Sequence, residues 1–398
     1  MKNKKKYVYK LVLLFDVLVI FTILCLIKNN PHTAESYTNN VANKYITFAS
    51  KIFSNIPFSV YEFTLIFLIG MVIFYIVSII VKLCKKKYNA SLQRFISALL
   101  FVFICVDIYV GVASISYGRN QVSIPQYNQE INNELIDQTF EYFLEDYNNI
   151  STHFSRDENG LVISPYTFEE INNILIEEYK KLDENYFPSF TPKAKKLLFS
   201  DIFSELHFTG IFWAPTGEAN INNNLHAAEL PHTMAHEIAH SKGVFRENDA
   251  NLVAMYVTLN SENEFLRYSA YYHNFSSLLR IYQQTNYDKY VESYFRLNED
   301  IRKEYGVINN YWKKHDLLSK IGQLYNDIFL KLNGNKNGVN DYNDNTTSED
   351  SGKVDENNNP IYVIKEYSPY AKLFFYLYQK ANYNTTTFWF LLLGLSGI

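Results

Sequence analysis

The chain has 398 residues, more than one domain usually holds, so a membrane part joined to one or two globular parts is the natural expectation. Its 37 basic and 41 acidic residues give a net charge of -4, which excludes a broadly basic nucleic-acid binder. The three cysteines, Cys25, Cys84 and Cys105, all lie in or beside apolar stretches near the N-terminus, which excludes a disulfide framework.

Three runs, 9–27, 60–83 and 96–115, approach or exceed the ~20 mostly apolar residues that cross a hydrocarbon core. The first follows a basic N-terminus but lacks a small-residue cleavage site, so it reads as an uncleaved anchor. Basic residues set the orientation. Lys2, Lys4, Lys5, Lys6 and Lys10 precede the first span, and Lys82, Lys85, Lys86, Lys87 and Arg94 join the second to the third. The 28–59 link carries only Lys28, Lys44 and Lys51. A cytoplasmic N-terminus follows, in a multi-pass protein of the cell membrane whose chain beyond residue 118 is extracytoplasmic. The expected division is a membrane domain over 1–118 and an extracytoplasmic domain over 119–398.

From 125 to about 330 the apolar residues recur at three- and four-residue spacing, as in 129–148 and 167–183, which predicts a mainly α-helical domain. Thr167 followed by Glu170 offers a capping box at one helix start. The stretch 207–222 interrupts this periodicity with Gly210, Pro215 and Gly217 and reads as a loop or edge strand. Residues 333–360, rich in Asn, Asp, Gly and Ser, read as a flexible low-complexity insertion. The apolar run that closes the chain, 385–398, is too short to span and is expected to pack on the domain or lie at the membrane interface.

His236 and His240 stand four apart in His236-Glu237-Ile238-Ala239-His240. On a helix both imidazoles project from one face and can grip one tetrahedral zinc. Glu237, beside the first ligand, can take a proton from water that zinc acidifies, as a general base. Pro231 can begin this helix and Gly243 can end it. A catalytic zinc needs a third protein ligand. Glu247, in the first turn of an apparent second helix over 247–260, is the leading candidate, with Asp249 and His232 as competitors. In the HExxHxxGxxH pattern the last histidine would fall at Arg246, which cannot bind a cation. Asn251, four residues after Glu247, can orient a ligand histidine from outside the ligand set. Groups that could stabilise an oxyanion are Tyr268, Tyr271, Tyr272, His273 and Tyr311.

The three spans, Tyr117-Gly118-Arg119-Asn120, the segment 214–222, the HEIAH motif and Glu247-x-x-Ala250-Asn251 occur together in an order that resembles the bacterial membrane protein family catalogued as domain of unknown function 3810. More distantly the chain is similar to gluzincin peptidases. That resemblance implies a zincin-like domain in which Glu247 is the third zinc ligand and Asn251 takes the place of a gluzincin Asp. The interval from His240 to Glu247 is much shorter than in thermolysin-like enzymes. The resemblance also draws attention to 214–222, which reads either as an edge strand before the metal helix that pairs with an extended peptide, with Glu218 or Asn220 gripping substrate or ordering the site, or equally as a tight turn fixed by Pro215 and Gly217. The expectation is a membrane-anchored zinc hydrolase, a metallopeptidase acting on peptides or proteins; the alternative is a catalytically silent membrane scaffold or sensor that keeps a structural zinc.

Overall fold

A computed structural model of the protein describes residues 2–122, 124–183, 187–334, 338, 346–355, 357 and 359–392. The chain is mostly helical. It begins with α1 (Lys2–Lys28), α2 (Pro31–Tyr37), α3 (Asn43–Phe53), α4 (Val60–Cys84) and α5 (Tyr88–Val112). Within these, Tyr7–Lys28, Val60–Cys84 and Tyr88–Val112 are long and apolar enough to cross a membrane, with mean hydropathy of 2.7, 2.9 and 2.5. α1 and α4 both pack on α5. The third helix starts eight residues before the expected span, at Tyr88 against 96, and ends at Val112. Helical hydrogen bonding runs on through the mixed stretch Asn89 to Arg94, which hydropathy alone leaves out.

The 28–59 link, which the sequence presented only as a connection, is folded. α2, a π-helical turn over Thr38–Ala42 and α3 lie under the later helices, and α3 packs against the helix that carries the histidines.

Next come α6 (Asn133–Ser151), α7 (Phe168–Tyr179), β1 (Lys195–Lys196), α8 (Ser200–Glu205), β2 (Gly210–Trp213), β3 (Glu218–Ile221), α9 (Leu230–Ser241) and α10 (Glu247–Leu259). The Asn132 side chain accepts from Leu135 N to start α6, and the Thr167/Glu170 capping box starts α7. The inward stripe of α6, including Phe140, Phe143 and Tyr147, meets α11 (Glu264–Asn274), with Tyr147 and Tyr271 ring centroids 5.0 Å apart. α12 (Ser276–Thr285), α13 (Tyr287–Arg296), α14 (Glu299–Lys314) and α15 (Ser319–Asn333) follow, then the strands β4 (Thr347–Val354) and β5 (Pro360–Glu366), and α16 (Pro369–Leu392). From α16, Leu373, Phe374 and Phe375 are fully buried in the main core.

The small sheet has the order β1-β3-β2. β3 is central, parallel to β1 and antiparallel to β2, with Gly210 opposite Ile221 and Trp213 opposite Glu218. The edge strand expected within 207–222 is present as β2, and only its placement at 214–222 is corrected. The exposed edge is β2, whereas 218–221 is the covered middle strand, because β1 arrives from 23 residues upstream to pair with it. The second half of the segment read as an insertion also differs, since β4 pairs antiparallel with β5. The alternating Ile361, Val363 and nearby apolar residues of β5 supply a template that the composition of 347–354 does not reveal. Residues 335–337 and 339–345 of that segment, and 393–398 of the closing apolar run, lie outside the described residues.

Polar contacts cross the expected boundary at residue 118. Lys195 Nζ donates to Phe53 O and Phe58 O at 2.7 and 3.1 Å and pairs with Glu218 Oε1 at 2.6 Å. Glu218 accepts from Val60 N and Tyr61 N at 3.0 and 3.1 Å, satisfying the open amides that begin α4. Glu62 accepts from Leu198 N and Phe199 N. Arg119 pairs with Glu35 at 2.5 Å and donates to Gly243 O at 3.1 Å, tying the chain after α5 to the turn after α9.

Candidate metal centre

α9 is the central helix of the folded region. Pro231 occupies its first turn, and Met234, Ala235, Ile238 and Ala239 are fully buried. Gly243 ends the helix at φ +81°, a left-handed conformation that a side chain disfavours, and a Cβ there would strike the Asn43 side chain. The turn sends the chain back along α9 as α10, whose first residue is Glu247.

This return brings three donors together. His236 Nε2 lies 3.1 Å and His240 Nε2 3.7 Å from Glu247 Oε2, and the donor atoms of the three residues all fall within 4.8 Å of one another. The two imidazoles stand perpendicular, centroids 4.8 Å apart. His240 Nδ1 is 2.6 Å from Val244 O. A carbonyl only accepts, so Nδ1 carries the proton and the Nε2 lone pair faces Glu247.

Electrostatics within the cluster are strongly perturbed. Burial lowers the His240 pKa to about 4 against the attraction of Glu247, keeping that ring neutral. Burial also opposes charge on His236, yet its hydrogen bond to Glu247 and the Glu237 charge outweigh it and raise the pKa. Glu237 is pushed up to about 8 by burial, with His236 lowering it and Glu247 raising it. Its Oε2 is buried without a hydrogen-bond partner, as is His236 Nδ1. Two carboxylates and two imidazoles enclosed together favour a cation among them. The set fits zinc in particular. Two imidazole nitrogens and one carboxylate have the His₂Glu composition that zinc accepts, and tetrahedral bonds of about 2.0–2.1 Å separate donors by about 3.3 Å, within the spread seen here.

The other candidate residues separate clearly. Asn251 lines the same cavity as His236 and helps to raise the pKa of its ring. Asp249 turns away to accept from Val122 N at 3.4 Å. His232 lines the cavity but stacks on His273, centroids 4.5 Å apart, outside the donor cluster. Glu218 is held by Lys195, Thr216 and the start of α4, while Asn220 Nδ2 donates to Ile211 O and Glu218 O. Neither lines the cavity, and both side chains are engaged within the sheet or at its joint with α4. Their side chains leave β3 on faces occupied by the sheet's own supports. Of the oxyanion candidates only His273 reaches the cavity. Tyr268 and Tyr271 bond Glu304 and Asp146, Tyr272 stacks on Tyr305, and Tyr311 packs against His226.

The cavity holds about 420 Å³. Its wall opposite α9 is β2. Gly210 is the closest point, where a Cβ would come within 2.6 Å of Glu237 Oε1 and 2.9 Å of its Cδ. Sequence reading noted Gly210 only as punctuation. Tyr109 of α5 and Tyr325 and Phe329 of α15 close the far side, so the end of a membrane-spanning helix forms part of the cavity.

Residues 37–347 match the sequence profile of a family described as protein of unknown function (DUF3810). No curated protein and no solved structure matches the chain.

Proposed function

The chain belongs to the DUF3810 family of proteins of unknown function, and from that premise we propose that it is a membrane-anchored zinc hydrolase, a gluzincin-like peptidase of the HExxH type. The observation that carries this reading is the convergence of His236, His240 and Glu247 beside Glu237, whose carboxylate has a buried oxygen with no partner. A structural zinc site has no use for such a carboxylate.

His236, His240 and Glu247 would hold the metal. Bound there, zinc supplies Lewis acidity, polarising a carbonyl and lowering the pKa of water. The protein's own groups do the rest. Val244 O fixes the His240 tautomer, and Asn251 steadies His236. Glu237 takes a proton from the attacking water and passes it to the departing amine nitrogen. Among the described residues β2 pairs only with β3, leaving the outer backbone groups of an edge strand beside the cavity, the arrangement by which an extended peptide is bound through main-chain hydrogen bonds. His273 Nε2 donates to Glu229 O at 3.2 Å, which leaves Nδ1 of the neutral ring without a proton, so His273 lines the cavity wall but cannot donate to a developing oxyanion.

The reading is tested by peptide cleavage with the full chain in lipid vesicles. Product that depends on Glu237 supports it; equal product from wild type and Glu237→Gln leaves the silent scaffold with structural zinc. Gly210→Ala forces its Cβ into the Glu237 carboxylate. A displacement of that size lowers kcat by about 10²-fold with zinc content unchanged, measured in the same assay. Unaltered kcat would show that the carboxylate does not depend on this contact.

The excess of lysines at the N-terminus and between the second and third spans supports a cytoplasmic N-terminus and an outward-facing site. A cysteine placed at exposed Asn159 then reacts with an impermeant maleimide in intact cells. Reaction only after lysis would reverse the orientation.

A further inference from the structure

α15 has three sectors. Ser319, Gly322, Leu330 and Asn333 are buried against the fold, and Lys320, Gln323, Asp327 and Lys331 form a polar strip. The third sector is apolar and bare. Ile321, Leu324, Ile328 and Leu332 recur at helical spacing within about 100° of arc and are between 49% and 77% exposed. A water-facing helix of a folded domain does not present such a stripe without a partner.

The position of the helix identifies the partner. Its C-terminal end is fastened to the ends of two membrane-spanning helices. Lys28 Nζ, closing α1, donates to Leu332 O at 3.3 Å. Just past α5, Ser114 Oγ donates to Asn333 Oδ1 at 2.7 Å, and Asn333 Nδ2 donates to Tyr109 Oη at 2.7 Å. The bare stripe therefore ends beside the ends of two spans. A second apolar group, Leu198, Phe199 and Ile202, lies at the same end, where Glu62 of α4 accepts from Leu198 N and Phe199 N. Where the chain after α15 returns at Gly338, it lies against Asp327 and Lys331, on the polar strip rather than over the bare stripe.

We propose that α15 is an interfacial helix that rests in the bilayer leaflet where α1 and α5 end, with Ile321, Leu324, Ile328 and Leu332 at the boundary of headgroups and acyl chains. Lys320 and Lys331 then lie level with the headgroups, as cations beside an apolar face do. Tyr325 and Phe329 of the same helix line the cavity, so one wall of the cavity is anchored to lipid. The inference concerns lipid contact alone and stands or falls independently of zinc and of hydrolysis.

The test uses the full chain with Cys25, Cys84 and Cys105 replaced by Ser, reconstituted in phosphatidylcholine and phosphatidylglycerol vesicles. Single cysteines replace Leu324, Ile328, Gln323 or, as a control within a span, Ile69, and each carries an NBD fluorophore. Lipids brominated on the upper acyl chain serve as quenchers. Labels at 324 and 328 should emit in the blue-shifted range and lose about half their intensity, while the label at 323 stays near its aqueous value. A variant that elutes as aggregate is replaced by Ile321→Cys or Leu332→Cys. Aqueous emission without quenching at 324 and 328 overturns the proposal. So does blue-shifted emission without quenching, which means that a second copy or another protein segment covers the stripe.

Discussion

Glu237→Gln lowers peptide turnover by about 10²- to 10⁴-fold, the usual worth of a positioned general base, while zinc content and thermal stability stay close to wild type. The amide has nearly the shape of the carboxylate, so the tight contact with Gly210 is preserved. What it lacks is an oxygen that can take a proton from water. The donors of the cluster belong to His236, His240 and Glu247 and are left intact. Stopped or steady-state assays on the full chain in vesicles give kcat, and metal analysis of the same samples gives the zinc content. A variant with wild-type kcat removes Glu237 from the reaction.

The largest structural effect is expected at Glu218. Its side chain and that of Lys195 are 1% and 6% exposed, and they meet at 2.6 Å. Removing one member strands the other charge in the interior, at a cost of about 3–5 kcal/mol. Glu218→Ala also takes the acceptor from Val60 N and Tyr61 N at the start of α4, so the loss falls on the joint between the sheet and the membrane-spanning helices. Denaturant or thermal unfolding in detergent should place Glu218→Ala and Lys195→Met well below wild type, and the double variant above the sum of the two losses, because no lone charge remains. A single variant within about 1 kcal/mol of wild type would mean that water reaches the pair.

These two carboxylates also mark what the sequence can disclose. The place of Glu237 beside the paired histidines was legible because a helix sets the spacing of residues 236, 237 and 240 locally. Glu247 was legible for a similar reason. A glycine turn after a short helix returns the next helix along the first, and its opening residue then faces the histidines. Asp249 and His232 could be dropped only once their side chains were seen directed to Val122 and His273. The pairing of Glu218 with Lys195 was not legible, because Lys195 lies 23 residues upstream and joins it through a parallel β1–β3 pairing that no local pattern announces.

The edge strand was misplaced by a few residues for a related cause. All four residues of β2 are half-buried, lacking the alternation by which strands are recognised. The 28–59 link reads as a polar connector between spans, yet α3 packs on α9 and Asn43 bounds the Gly243 turn. Span composition set the number of membrane helices well, since apolar length is a property of each segment alone. The contacts that hold those spans to the metal helix depend on pairs far apart in sequence, and they emerge only in three dimensions.

The central claim is that His236, His240 and Glu247 form one zinc site. Its most direct measurement is the zinc content, by mass spectrometry, of the purified full chain beside His240→Ala and Glu247→Ala. One zinc per chain in the wild type, lost from both variants, is the predicted result. Wild-type protein without stoichiometric zinc, or variants that keep it in full, would contradict the claim.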